Sequence, residues 1–309
     1  MKKCLGCMKD YQDDLAECPY CGYSTVQMEK EQAKMPDALP CKTVLFKRYT
    51  LGRILSYGDY SILYLAWDGL LSKKVVIREF FPVDVAIRGE NHLVVVRKPS
   101  YLERFQEGKE SFLRDNMLLH HNQDLNGIVH VYRLFEENNT VYAVMEYLEG
   151  CTLEDYLYET GEETVRQNAD YLFGLIAKVV MEAHQKNLVH MNLNPMNIYV
   201  LSHKQVCLID FGRAKCEYEA SAKGKVLLLN PRYTAPEVYE DSTGGTSCDA
   251  FSLGAIYYRM VVGQDPPYKN FKTKKFASFL KSDSKQERLI AQLMEKDEGK
   301  RLELSMLSL

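Results

Sequence analysis

Between Tyr49 and Asp68 the chain alternates apolar and polar residues, "YTLGRILSYGDYSILYLAWD", with Gly58-Asp59 near the midpoint. A period of two in a run rich in Tyr, Ile and Leu, broken by a Gly-Asp pair, predicts a β-hairpin. "KKVVIREFF" reads as a third strand, and "IVHVYRLFEENNTVYAVMEYL" as two more around a Glu-Asn-Asn turn. A helical period covers 102–120. After Gly150 that period dominates, predicting helices over 152–159, 166–187, 247–263 and 285–295. Strands first and helices second predict an α+β domain of two lobes, residues 44–148 and 149–309.

The front of the chain follows neither period. Residues 24–43 are polar, contain "EKEQAK" and two prolines, and predict a linker with at most one short helical piece. Residues 1–23 hold Cys4-x2-Cys7 and Cys18-x2-Cys21, ten residues apart. Each pair can set two thiolates on one metal through a tight turn, with Gly6 and Gly22 supplying backbone freedom. Two pairs fill a tetrahedral shell and leave no open position, so the pattern predicts structural Zn²⁺, not catalysis. A segment this short buries too little to fold alone, and the metal would supply its folding energy. The segment resembles the zinc-ribbon family. Doubling of the motif argues against a redox pair. Asp10, Asp13, Asp14 and Glu17 between the pairs argue against nucleic acid and for a protein-facing or structural module.

Composition narrows the picture. The 309 residues are 46% hydrophobic and 26% charged with net charge −3, so no global basic field would recruit nucleic acid or an anionic membrane. The local exception, Lys269–Lys285, reads as a solvated face. No run of 18 apolar residues and no signal-peptide core appear, so the expectation is a soluble, cytoplasmic protein without a membrane segment. Cys41, Cys151, Cys207, Cys216 and Cys248 stand outside the paired motif and read as free thiols, with Cys207 a small buried hydrophobe in "VCLID".

Ordered landmarks in the second half carry a resemblance. "VMEYLEG" is followed by "LVHMNLNPMNIYVL", then Asp210-Phe211-Gly212, Ala235-Pro236-Glu237, Asp249 in "SCDAFSLG" and Arg301 in "GKRLE". On these motifs, residues 44–309 resemble a protein kinase of the Ser/Thr type, and the ribbon-plus-kinase layout resembles bacterial examples. The resemblance implies a β-rich N-lobe, a helical C-lobe, and ATP with Mg²⁺ as cofactors. It places Met145, Glu146 and Tyr147 at the interlobe hinge beside the nucleotide. It makes Asn197 and Asp210 magnesium ligands, Asp249 the anchor of the catalytic loop, and Arg301 the partner of Glu237. His190, Phe211, Leu119 and Val131 match the family's internal packing column.

Against that pattern the chain departs at the reacting groups. The proton-accepting Asp of the family is Asn192, whose amide can orient a hydroxyl but cannot take its proton. The Lys that steadies the transferring phosphate is Asn194. The strand-three Lys is Arg78, a longer planar fork, whose helical carboxylate partner aligns with Asp115 in preference to Glu110. In the glycine-rich loop Ser56 and Ser61 replace two glycines and only Gly58 remains, with Asp59 adding negative charge. Val76 and Tyr199 add bulk above and below the adenine slot, and the Tyr199 ring is able to fill it. Met191 replaces the Arg that clamps a phosphorylated activation loop, leaving segment 213–234 without an evident phosphate-reading switch. The expectation is a pseudokinase with weak or no phosphotransfer, acting as a signalling scaffold or allosteric module through protein partners. Two alternatives stay open: a slow but active Ser/Thr kinase, and a zinc-ribbon docking protein with a passive kinase fold.

Overall fold

The computed structural model describes residues 1–201, 205–212, 229–241, 244–267 and 284–307. These form two compact units: Met1–His121 with His130–Tyr147, and Asn122–Val129 with Leu148 onward. At the front, β1 (Lys2–Lys3) pairs antiparallel with β2 (Asp10–Tyr11). The polar stretch behind them contains helix α1 (Thr25–Lys34), started by a capping box. The Ser24 hydroxyl accepts from Gln27 N, and Gln27 Oε1 accepts from Ser24 N. No α1 residue is buried; Ala38 and Leu39 just beyond it are.

The alternating segments become one sheet. Its strands are β3 (Val44–Leu45), β4 (Tyr49–Tyr57), β5 (Ser61–Asp68) and β6 (Lys73–Phe80), completed by two strands from later in the chain. A small hairpin, β7 (Ala86–Arg88) with β8 (Val94–Val96), leads to helix α2 (Leu102–His121), followed by β9 (Val131–Glu137) and β10 (Thr140–Glu146). The strand order is β3-β4-β5-β6-β10-β9, antiparallel throughout. Leu51, Ile62, Tyr64, Val75, Ile77 and Val141 are sealed from solvent in it. From α2, Phe105, Phe112 and Leu119 recur at sevenfold spacing and are buried, which is the helical stripe read in the sequence. Phe80 packs against Phe105, Phe112 and Tyr60, with ring centroids 5.2–5.7 Å apart.

A buried ion pair lies in this lobe. Glu79 is fully buried and accepts from both Arg88 terminal nitrogens (2.8 and 2.7 Å), from Tyr64 OH (2.8 Å) and from Tyr142 OH (2.7 Å). Arg88 also donates to Asp37 O, and Tyr64 accepts from Leu39 N, so the segment after α1 is bolted to the sheet. Burial, then Glu79, pushes both tyrosines above their ordinary range, keeping them neutral donors.

The second unit is mostly helical. A sheet of β11 (Gly150–Thr152), β12 (Ile198–Leu201) and β13 (Val206–Leu208) accompanies α3 (Leu153–Thr160) and α4 (Glu162–Gln185). Then follow α5 (Pro236–Asp241), α6 (Thr246–Val262) and α7 (Lys285–Leu293). Helix α6 is buried nearly all round, from Cys248 to Tyr258, and forms the centre of the unit. Arg301 closes the packing: its Nη2 donates to Glu237 at 3.0 Å, with Nη1 also on Glu237 and on Ser247 O. A β-rich lobe and a helical lobe are the α+β, kinase-like arrangement that the sequence predicts. No described helix is long and apolar enough to cross a membrane.

Breaking one side of the Glu79 cluster leaves a buried charge uncompensated. Arg88→Met is expected to lower stability by about 3–5 kcal/mol. Adding Glu79→Gln, which removes the charge but keeps an acceptor for the tyrosines, should recover most of that. Denaturant unfolding of the two single variants and the double variant measures it.

Candidate functional site

In the second unit the segment after α4 is held from below by one side chain. Asp249, fully buried on α6, accepts from His190 N (2.7 Å), Met191 N (2.9 Å) and His184 Nε2 (2.9 Å). Its grip fixes Met191 at φ +61, a left-handed conformation that a non-glycine residue adopts only when its surroundings impose it. Met191 is itself buried, its side chain turned toward Gly244. The His190 ring stacks on Phe211 with centroids 4.3 Å apart. In the first unit, Leu119 and Val131 of the same sequence column are buried.

Beyond Met191 three asparagines knit into one cluster. Asn194 Nδ2 (2.9 Å) and Asn197 Nδ2 (2.8 Å) both donate to the Asn192 carbonyl. Asn194 Oδ1 accepts from Met196 N and caps the short turn Pro195–Asn197, so this residue faces inward. Asn192 is buried, and its amide donates to Asp210 twice, to the carbonyl (3.2 Å) and to Oδ2 (3.1 Å). Asp210 stands at φ +58, and Gly212 N donates to His190 O at 2.7 Å, which seats the Asp210–Gly212 turn on the loop. Asn192, Asn194, Asn197 and Asp210 are therefore one hydrogen-bonded group. Tyr199 is half-buried on β12, paired with Cys207 and Thr152.

The remaining predicted residues lie in the first unit. Arg78, on β6, is buried; its Nε donates to Ser61 Oγ at 3.1 Å, and its guanidinium lies 5.4 Å from the Phe112 ring. Thus the serine in place of a loop glycine supplies an acceptor to the arginine in place of the lysine. Asp115 sits three residues beyond Phe112 on α2, on the same helix face, whereas Glu110 is exposed. Gly58 N donates to Ser61 O and closes the β4–β5 turn; Ser56 faces Leu63 across it. The turn is pinned at Tyr60, which is buried, with its hydroxyl on Gly108 O. Val76 pairs with Met145 between β6 and β10. Glu146 accepts from His130 N, and Lys74 Nζ lies over the Tyr147 ring. The Arg78–Ser61 bond had no sequence signal, because Ser61 reads first as a small residue in a turn.

The four paired cysteines do converge: their Sγ atoms all lie within 4.8 Å of one another. Cys4 and Cys21 are 3.6 Å apart, Cys7 and Cys18 3.7 Å, and Gly6 N donates to Cys4 Sγ. Gly22, at φ +69, makes the turn after the second pair. Burial acts to raise the Cys18 thiol, but the Tyr20 and Cys21 N–H groups outweigh it and lower it to about 7. Burial pushes the Cys4 and Cys7 thiols up. Four convergent sulfurs with N–H donors beside them fit a tetrahedral Zn²⁺. Lys269–Lys285 lies outside the described residues except at Ser284 and Lys285, and segment 213–234 is described from Leu229.

His190 gives the site a pH dependence. Its Nδ1 accepts from Asn192 N, while the buried Nε2 has no partner among the described residues. Burial lowers its pKa, opposed by Asp249 and Asp210. The folded chain therefore keeps the ring neutral where the unfolded chain takes up a proton. Its contribution is complete above about pH 6.5 and is lost as pH falls toward the depressed folded value. Denaturant unfolding at pH 7.5 and 5.5 is expected to show a smaller loss for His190→Phe, which keeps the stack, than for the wild type.

Comparison with known proteins agrees with this geometry. The family model for the protein kinase domain matches residues 80–308. Serine/threonine-protein kinase dkf-2 of Caenorhabditis briggsae is 32% identical over 166 residues, 53% of this chain and 14% of that protein. Serine/threonine-protein kinase PknB of Mycobacterium leprae is 26% identical over 228 residues, 72% of this chain and 33% of that protein. The chain thus spans a third or less of these relatives. The solved apo form of PpkA-294 superposes with a TM-score of 0.74 at 22% identity, covering 87% of this chain and 97% of that one; it shares the fold. With ordered landmarks, a kinase-like fold and a family match over most of its length, the chain belongs to the protein kinase domain family.

Proposed function

We propose that this protein is a pseudokinase: a kinase-fold signalling scaffold or allosteric module that acts through protein partners and transfers phosphate weakly or not at all. One observation carries the reading. Asn192, at the position of the family's proton acceptor, donates its amide to Asp210 at 3.1 Å. A substrate hydroxyl approaching Asn192 meets a group that cannot accept its proton, and positioned bases contribute about 10²–10⁴-fold. Asn194 deepens the deficit, because an inward-facing amide stands where the family carries a cation at the transferring phosphate.

The replacement also suits a site at rest without a metal. Two carboxylates at this separation would repel unless a cation lay between them, whereas an amide and a carboxylate attract. Asp210 and Asn197 keep the oxygens that would hold Mg²⁺, which would there neutralise nucleotide phosphates. Those retained oxygens, with the charge of Arg78, support the second reading, a slow Ser/Thr kinase, since a loose transition state needs little help from a base.

Incubation of the purified chain with γ-labelled ATP, Mg²⁺ and a Ser/Thr peptide is expected to give no transfer above an Asp210→Ala control. Transfer at an ordinary kinase rate that this variant abolishes would overturn the proposal. In thermal unfolding, Asn192→Asp should cost about 1–3 kcal/mol in the absence of divalent ions. Mg²⁺ should restore that loss, and it should stabilise the wild type less.

A further inference from the structure

The β4 strand departs from regular pairing at one place that the kinase reading does not use. Its register with β5 shifts between Leu51 and Ile54, so Gly52 and Arg53 bulge from the ladder. A bulge frees backbone groups that need other partners. Here Arg53 N donates to Leu5 O at 2.8 Å, and the Cys41 thiol donates to Gly52 O at 3.1 Å. Leu5 lies between Cys4 and Cys7, inside the first metal-ligand pair. The approach is close: a Cβ at Gly52 would sit 2.3 Å from Leu5 O and 2.3 Å from Met8 Cε. Alongside, Lys3 Nζ lies 3.7 Å from the ring centroid of Trp67, on β5, the single tryptophan of the chain.

The knuckle is therefore not carried on a free tether. It completes the hydrogen bonding of a strand whose far end leads into Ser56–Ser61. A knuckle of this size holds its shape through its metal, and so does the position of the Leu5 carbonyl. We propose that metal loading of Cys4, Cys7, Cys18 and Cys21 is transmitted through Leu5 to the Gly52–Arg53 bulge, making the knuckle a Zn²⁺-dependent clamp on the β4–β5 hairpin. The clamp makes the first lobe itself the partner of the knuckle face that bears Leu5. It stands independently of whether the chain transfers phosphate.

The test compares the full-length chain, reduced and loaded with Zn²⁺, with the same chain stripped by chelator. Stripping is expected to raise amide exchange across residues 49–61 at least tenfold and to shift Trp67 emission, while β6 and β10 keep their protection. Loss of protection in residues 1–23 with none in 49–61 would overturn the proposal. So would equal loss across β4, β6 and β10, since the metal would then hold the whole sheet, and so would a chain that binds no Zn²⁺. Gly52→Ala leaves every thiol in place but pushes the bulge off Leu5. It should retain one Zn²⁺ per chain while exchange at 49–61 no longer responds to the metal, and a wild-type response in this variant would count against the clamp.

Discussion

Asp249 is a carboxylate with no exposure to solvent, set in the first turn of the most buried helix of its unit. Such a charge is tolerated only where donors surround it, and here they are two backbone N–H groups of the loop and a histidine ring. The loop cannot leave without stranding the carboxylate. That constraint holds Met191 in a left-handed conformation, seats His190 on Phe211, and brings Asn192 to Asp210. A scaffold of this kind keeps its shape whether or not the groups it presents can react.

The asparagine cluster stands where the family pattern carries charged groups. In the family pattern this loop presents a carboxylate and a cation to the reactants. Here Asn192 and Asn194 spend their amides on each other, on Asp210 and on a turn N–H. In the other unit Arg78 follows the same trend, its guanidinium engaged by Ser61 and the Phe112 ring.

The first lobe carries features that a minimal kinase fold does not need. The segment between the cysteine knuckle and the sheet is fastened by Arg88, Glu79 and Tyr64, and the knuckle meets the β4 bulge directly. The ion pair and Tyr64 hold residues 37–39, and the Leu5 carbonyl holds the knuckle, each to a strand of the same sheet.

Periodicity alone determined the strands over 49–80 and 131–146 and the helices over 102–120 and after Gly150, because a two-residue or 3.6-residue repeat is a local property. Helix α4 begins at Glu162, four residues before the predicted start, because its polar first turn carries no apolar signal. Motif order placed Asn192, Asn197, Asp210, Asp249 and the Glu237–Arg301 pair, since these are short strings with fixed roles in a family. What the sequence could not reveal are bonds between distant residues that belong to no family motif. The Glu79 cluster joins residues 37 to 142, Ser61 reaches Arg78 across two strands, and Leu5 reaches Arg53 through a bulge. Each depends on strand register and on burial, which exist only once the chain has folded. Tertiary structure also decided that Asn192 turns inward as a donor, because an amide takes its role from the groups that surround it.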